Sequence, residues 1–156
     1  MVNIRDKGQR GEREVAQMLN AIIYDVCRSL SMTDEECNRA LTTVQRNQNQ
    51  TAVGGNDLTN CFGLSIEVKR QEQLAINTWW KQCAAAAARN GELPVLMWKQ
   101  NRKPWRVQTF GVLPTPRRPT SPSPKWILCQ FDIDTFKGWF FDWVVEQIKQ
   151  GWEIRT

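Results

Sequence analysis

The sequence predicts a mixed α/β fold with a small central sheet flanked by helices. Three observations carry that expectation. Apolar residues recur at helical spacing near both ends of the chain, and an alanine-rich helical stretch lies in the middle. Compact apolar runs of strand length stand between them. The resulting order is helix, strands, helix, strand, strand, loop, strand, helix, without an internal repeat. A length of 156 residues suits one domain with a real core.

Residues 8 to about 28 predict the first helix, because Val15, Leu19, Ile22, Ile23 and Val26 recur at helical spacing after Gly8 and Gly11. A second helix is expected over 33–44. Thr33 is its N-cap, and Asp34, Glu35 and Glu36 fill a first turn where negative charge suits the helix dipole. The polar stretch 45–57 reads as a strand end or loop, with a turn at Gly54–Gly55. Two short strands follow, around Leu58 and over 64–69, joined by a turn near 60–63.

Residues 73–90 form the alanine-rich helix, which Gly91 closes. PVLMWK at 94–99 and WRVQTFGVL at 105–113 are strands. Residues 114–124 hold five of the seven prolines and exclude a strand. A strand over 126–133 and a helix over 135–150 complete the chain. Asp134 is the expected cap of that helix, and Phe136, Phe140, Val144 and Ile148 form one stripe. The whole of 1–156 is therefore expected to be one domain, with a Pro-rich loop at 113–125 and a strand-helix extension at 126–156.

Composition removes several chemistries. There is no histidine, which excludes Ser-His-Asp triads, Cys-His pairs and His-ligated metals. The five cysteines are odd in number, scattered, and form no C-x-x-C pair, against a disulfide framework or a zinc site. A net charge of +5 is compatible with a polyanionic partner. No apolar run is long enough to span a bilayer, and the charged N-terminus is unlike a signal peptide, so a cytoplasmic protein is expected.

Carboxylates, lysine and arginine remain. On the first helix, Glu12 falls in the same sector as Val15, Leu19, Ile23 and Val26, whereas Glu14 points away. A carboxylate facing a core needs a partner, or else reaches solvent or an arginine at the helix end. In the strand L-S-I-E-V-K, alternation puts Leu64, Ile66 and Val68 on one face and Ser65, Glu67 and Lys69 on the other. Glu67 and Lys69 would then stand roughly 7 Å apart. Such a face can be merely solvated. If 57–58 and 64–69 are neighbouring antiparallel strands, however, Asp57 lies beside Glu67. Two adjacent carboxylates repel, and one stays protonated unless a cation intervenes. Magnesium suits a few carboxylates plus waters, and Lys69 could orient a water or stabilise charge on a phosphate.

Asp57 followed by Glu67-Val68-Lys69 resembles the motif of the PD-(D/E)xK nuclease superfamily. The segment G-Q-R-G-E-R-E at 8–14 and the strand G-E-L-P-V-L-M-W-K at 91–99 are similar to those of archaeal and phage Holliday-junction resolvases. The resemblance covers about residues 5–112. Asn56 stands where the motif has proline, 29–45 is longer than the simple pattern, and 113–156 has no counterpart.

The resemblance implies a restriction-endonuclease-like core and a magnesium-dependent, structure-selective DNA endonuclease, with manganese able to substitute. Asp57, Glu67 and the Val68 carbonyl would hold the metal. Lys69 would position the attacking water, and Glu12 would add a carboxylate. Arg13 and Arg46 become candidates for phosphate contacts. Gln82 is either a polar residue near the site or a plain helix glutamine. Further candidates for DNA contact are Lys7, Arg10, Arg70, Arg102, Lys103, Arg117 and Arg118. Paired nicks in a four-way junction imply a homodimer. Its interface would come from the helix around Trp79 and Trp80 or from the aromatic terminal helix, unless those aromatics only fill the core. Two other functions fit the same residues: a restriction-like or repair nuclease of this fold, or a noncatalytic DNA-binding module.

Overall fold

A computed structural model describes residues 3–48, 56–112 and 126–154. The first helix, α1, spans Ile4–Ser29 and starts earlier than the apolar spacing suggests. The reason is Asn3, whose side chain accepts a hydrogen bond from the Arg5 amide at 3.0 Å and caps the helix. Val15, Leu19, Ile23 and Val26 form its fully buried stripe. Helix α2, Asp34–Ala40, opens with Thr33 and Glu36 capping one another's backbone amides. It ends four residues before the expected boundary. Asn20 of α1 explains where the chain goes next. Its side chain accepts from the Val44 amide at 2.8 Å and donates to the Val44 carbonyl at 3.0 Å. That buried pair pulls the segment after α2 back onto α1.

Six strands follow the expected order: β1 Gln45–Arg46, β2 Leu58–Thr59, β3 Leu64–Arg70, β4 Leu93–Lys99, β5 Arg106–Val112 and β6 Trp126–Asp132. The main sheet runs β3-β4-β5-β6. Strands β3 and β4 are parallel, and the other two pairings are antiparallel. A parallel pair needs a crossover, which is supplied by α3, Ile76–Asn90. Gly91, left-handed at φ 65°, terminates α3 as the sequence predicts. The strand pairing departs from expectation at β2, which does not form a ladder with β3 but pairs antiparallel with β1.

The final helix, α4, spans Ile133–Lys149 and is capped by Asp132, not Asp134. The Asp132 side chain accepts from the Thr135 amide at 2.6 Å, so the helix starts on the last residue of the strand. Phe136, Phe140 and Val144 are fully buried, with Ile148 packed against the same core. The main core lies between α1, α4 and the sheet face bearing Leu64, Ile66, Val68, Val95 and Met97. Helix α3 covers the opposite face through Trp79 and Cys83 against Leu96 and Trp98. By register, Glu67 and Lys69 lie on that second face, level with Leu96 and Trp98. The Pro-rich segment 113–125 lies outside the described residues. Among the described residues, no helix is long and apolar enough to cross a membrane.

Candidate active site

Three elements converge on the free edge of β3. Helix α1 comes closest at Gly11, where an added Cβ would stand 3.1 Å from the Arg70 Cβ. This close approach carries the next residue, Glu12, into the interior, where it is buried. The inward direction inferred for Glu12 is therefore what the structure has. Its Oε2 accepts from Arg46 Nε of β1 at 2.6 Å. Arg46 thus reaches the carboxylate cluster itself, an arrangement its loose position in the sequence did not reveal.

Asp57 comes beside β3 by a route different from the antiparallel ladder expected for 57–58. Its amide donates to the Ile66 carbonyl at 3.2 Å, and its Oδ2 accepts from the Val68 amide at 2.7 Å. In a strand, the N–H and C=O of one residue point the same way, so the Val68 carbonyl also faces the Asp57 side. On the adjacent face, Lys69 Nζ lies 3.0 Å from Glu67 Oε1. Both side chains are half-buried, which removes the solvated-face alternative, and they touch where an ideal strand would hold them apart.

The electrostatics follow from this packing. Asp57 is 9% exposed. Its carboxyl is pushed up to about 7, first by burial and then by the charge of Glu67. The Val68 amide opposes that rise, Glu12 adds to it, and Lys69 opposes it. Burial first, and repulsion from Glu67 second, thus bias the Asp57 carboxyl toward its protonated form. Each carboxylate also turns an oxygen to a protein donor: Glu12 to Arg46, Asp57 to Val68, Glu67 to Lys69. Accordingly, no three acidic or thiol side chains among the described residues close around one point as a metal cluster. The donor set nevertheless fits a hard divalent ion, since it is carboxylate and carbonyl oxygen without thiol or imidazole, and a cation would relieve the strain on Asp57.

Two supporting residues were missed by the sequence reading. Asn56 accepts from Ser65 Oγ at 2.7 Å and donates to Glu92 Oε1 at 2.9 Å. It thereby fixes the backbone just before Asp57 to β3 and to the corner leading into β4. Ser65 shares a face with Glu67 by simple alternation, and that was the available signal. Glu14, expected to point away, instead binds Arg70 at 2.6 Å.

The peripheral candidates sort differently. Arg13 is exposed and lines, with Arg46, a cleft of about 410 Å³ between α1 and the segment joining α2 to β1. Arg102 and Lys103 are exposed in the turn between β4 and β5. Gln82 is exposed on α3, and no hydrogen bond among the described residues ties it to the carboxylates. Lys7 is held by Glu72 at 3.0 Å. Arg117 and Arg118 lie outside the described residues.

Residues 3–113 match the family described as "Phage putative PDDEXK endonuclease". The chain belongs to this family. Membership agrees with the mixed sheet between helices. Strand β6 and helix α4 lie beyond the matched region. Among solved structures, the chain is similar to Hjc, a Holliday junction resolvase of the archaeal hyperthermophile Archaeoglobus fulgidus. Identity is 17% and the TM-score 0.45, with 85% of this chain and 96% of that chain covered. No curated protein matches the sequence.

Proposed function

We propose that this family member is a magnesium-dependent DNA endonuclease that resolves four-way junctions by symmetric nicks. The observation that carries the chemistry is the Asp57 carboxyl, raised toward neutrality first by burial and then by the charges of Glu67 and Glu12, in a cluster where Lys69 lies 3.0 Å from Glu67. Clustered carboxylates against a polyanion make sense only with a cation between them. They also count against the reading as a noncatalytic binding module. The junction preference rests on the likeness of the E-R-E helix and the G-E-L-P-V-L strand to those of resolvases.

Asp57, Glu67 and the Val68 carbonyl are the ligand set in this reading, with Glu12 a further carboxylate. A bound divalent ion supplies positive charge against the scissile phosphate and makes a water acidic enough to attack it. Lys69 sits two residues from Glu67 on the same face, where its ammonium can orient that water and offset charge on the phosphate. Arg46 holds Glu12 in place, and Arg13, exposed beside it, supplies positive charge for the DNA backbone. Arg102 and Lys103 extend the basic surface. Arg70 contributes less, because its guanidinium is engaged by Glu14.

Incubation with magnesium and labelled four-way junction, duplex, flap and single strand tests the reading. Paired symmetric nicks confined to the junction support it. Cutting of plain duplex or flap assigns the same site to a restriction-like or repair role. Binding without cutting, in magnesium or manganese, rejects the enzyme reading.

A further inference from the structure

Between Asp57 and Glu67 the chain makes one tight turn. At the open end of that passage, the Asp57 amide donates to the Ile66 carbonyl and the Asp57 carboxylate accepts from the Val68 amide. At the closed end lies Asn60-Cys61-Phe62-Gly63. Asn60 stands at φ 59° and Phe62 at φ 55°. Asparagine visits this left-handed region readily. A bulky aromatic residue does not, and such backbone strain persists only where the surroundings over-determine it.

Those surroundings come from the far end of the chain. The Phe62 ring is fully buried. On either side of it, the carbonyls of Cys61 and Gly63 accept from the backbone amides of Leu64 and Leu93, at 3.1 and 3.0 Å. The Phe62 carbonyl instead accepts from the indole nitrogen of Trp143, on α4, at 2.9 Å. After α4, Gly151 is left-handed at φ 96°, and Trp152 sets its ring 5.6 Å from that of Phe62. Both tryptophans lie past residue 113, outside the region that matches the family. The extension therefore grips the turn between two candidate metal ligands at its strained aromatic residue.

We infer that Trp143 is a positioning residue of the candidate active site: its indole holds the Phe62 carbonyl, fixes where β3 begins, and so sets Glu67 against Asp57. The inference rests on the ligand set proposed above. Side chains alternate along a strand, so the start of β3 decides which face Glu67 and Lys69 take. Without the indole donor, a buried carbonyl loses its partner. The left-handed turn then loses one of the contacts that hold it, and the Asp57–Val68 bond opens more often. A space-filling role would need only the aromatic ring. The positioning role needs the N–H.

Trp143→Phe keeps a ring and removes the donor. Replacing Trp143 by 3-benzothienylalanine removes the donor and keeps the full indole shape, which serves if the phenylalanine chain does not fold. Hydrogen exchange of the full chain, followed amide by amide, is read at Val68 relative to the β4–β5 ladder. Either replacement is expected to speed Val68 exchange at least about tenfold beyond any change in the ladder. Manganese affinity, measured by calorimetry, is expected to weaken about 10- to 100-fold, as when a group that orients metal ligands is lost. Val144→Ala is the matched control, since it trims a fully buried side chain of the same helix and leaves the indole bond in place. Its loss of stability is expected to affect Val68 and the ladder alike, with manganese affinity within about twofold of wild type. Val68 exchange that rises no more than the ladder, manganese affinity unchanged without the donor, or the same pattern from Val144→Ala would overturn the assignment. A wild-type chain that binds no manganese removes the ligand-set reading. Faster Val68 exchange in the replaced chain then still shows that Trp143 sets Asp57 against β3.

Discussion

Strands β3 and β6 end the same sheet, and each breaks the usual pattern in the opposite sense. On the face they share, β3 carries Glu67 and Lys69, charged and half-buried, while β6 carries Trp126 and Leu128, apolar and exposed. Packing alone favours the reverse arrangement at both ends. Charge withdrawn from water is tolerable where a cation and a phosphate complete it. Apolar surface left in water is tolerable where another protein surface completes it. One sheet thus departs from the usual pattern at both edges, by charge at β3 and by apolar exposure at β6.

The largest expected effects break the β3 end of this comparison. Asp57→Asn or Glu67→Gln should lower cleavage by at least roughly a thousandfold while DNA binding holds or tightens, measured by single-turnover cutting and by mobility shift. Retained cutting in both variants would place the site elsewhere. Lys69→Ala should cost about 10² to 10⁴ in rate, and a drop under about threefold would remove it from the chemistry.

A third prediction uses the Asp57 carboxyl, raised to about 7 in the folded chain. Because the folded form holds this proton more tightly than the unfolded one, the resulting stability is present below about pH 4 and is lost as pH rises toward about 7. Divalent-ion binding must expel the same proton. Calorimetry should find the apparent dissociation constant falling by up to about tenfold per pH unit below about 7 and levelling above it. A flat profile from pH 5 to 8 would detach Asp57 from the ion.

The smallest effect sharpens the contrast from within α1. Glu12 and Glu14 each hold an arginine at 2.6 Å, but only Glu12 is among the charges that raise Asp57. Glu14→Gln should change cleavage less than about threefold and stability by about 1 kcal/mol or less. A Glu14 variant as inactive as one at Asp57 would show that pairing geometry, not position at the cluster, decides the role.

Much of the β3 end was legible because its signals are local. Alternation gave the faces of 64–69, helical spacing turned Glu12 inward, and Gly91 marked the end of α3. What stayed hidden depended on partners distant in the chain. Nothing near Leu58 says that it pairs with Arg46 and not with β3, and nothing near Arg46 names Glu12 as its acceptor. Asp132 displaced Asp134 as cap because α4 continues directly from a strand whose end only pairing defines. The β6 end was legible as a strand, but its exposed face was not, since cover by α3 depends on how far that helix reaches across the sheet.

The parallel register of β3 and β4 has a consequence for how the chain comes to be made. A polypeptide synthesised only as far as Arg70 already includes Glu12, Arg46, Asp57, Glu67 and Lys69. The strand that flanks those residues, and the helix that covers their side of the sheet, arrive only with residues 76–99. On the proposed reading, a fragment that ends at Arg70 holds all five of these groups in its sequence and still lacks the strand and helix that frame them.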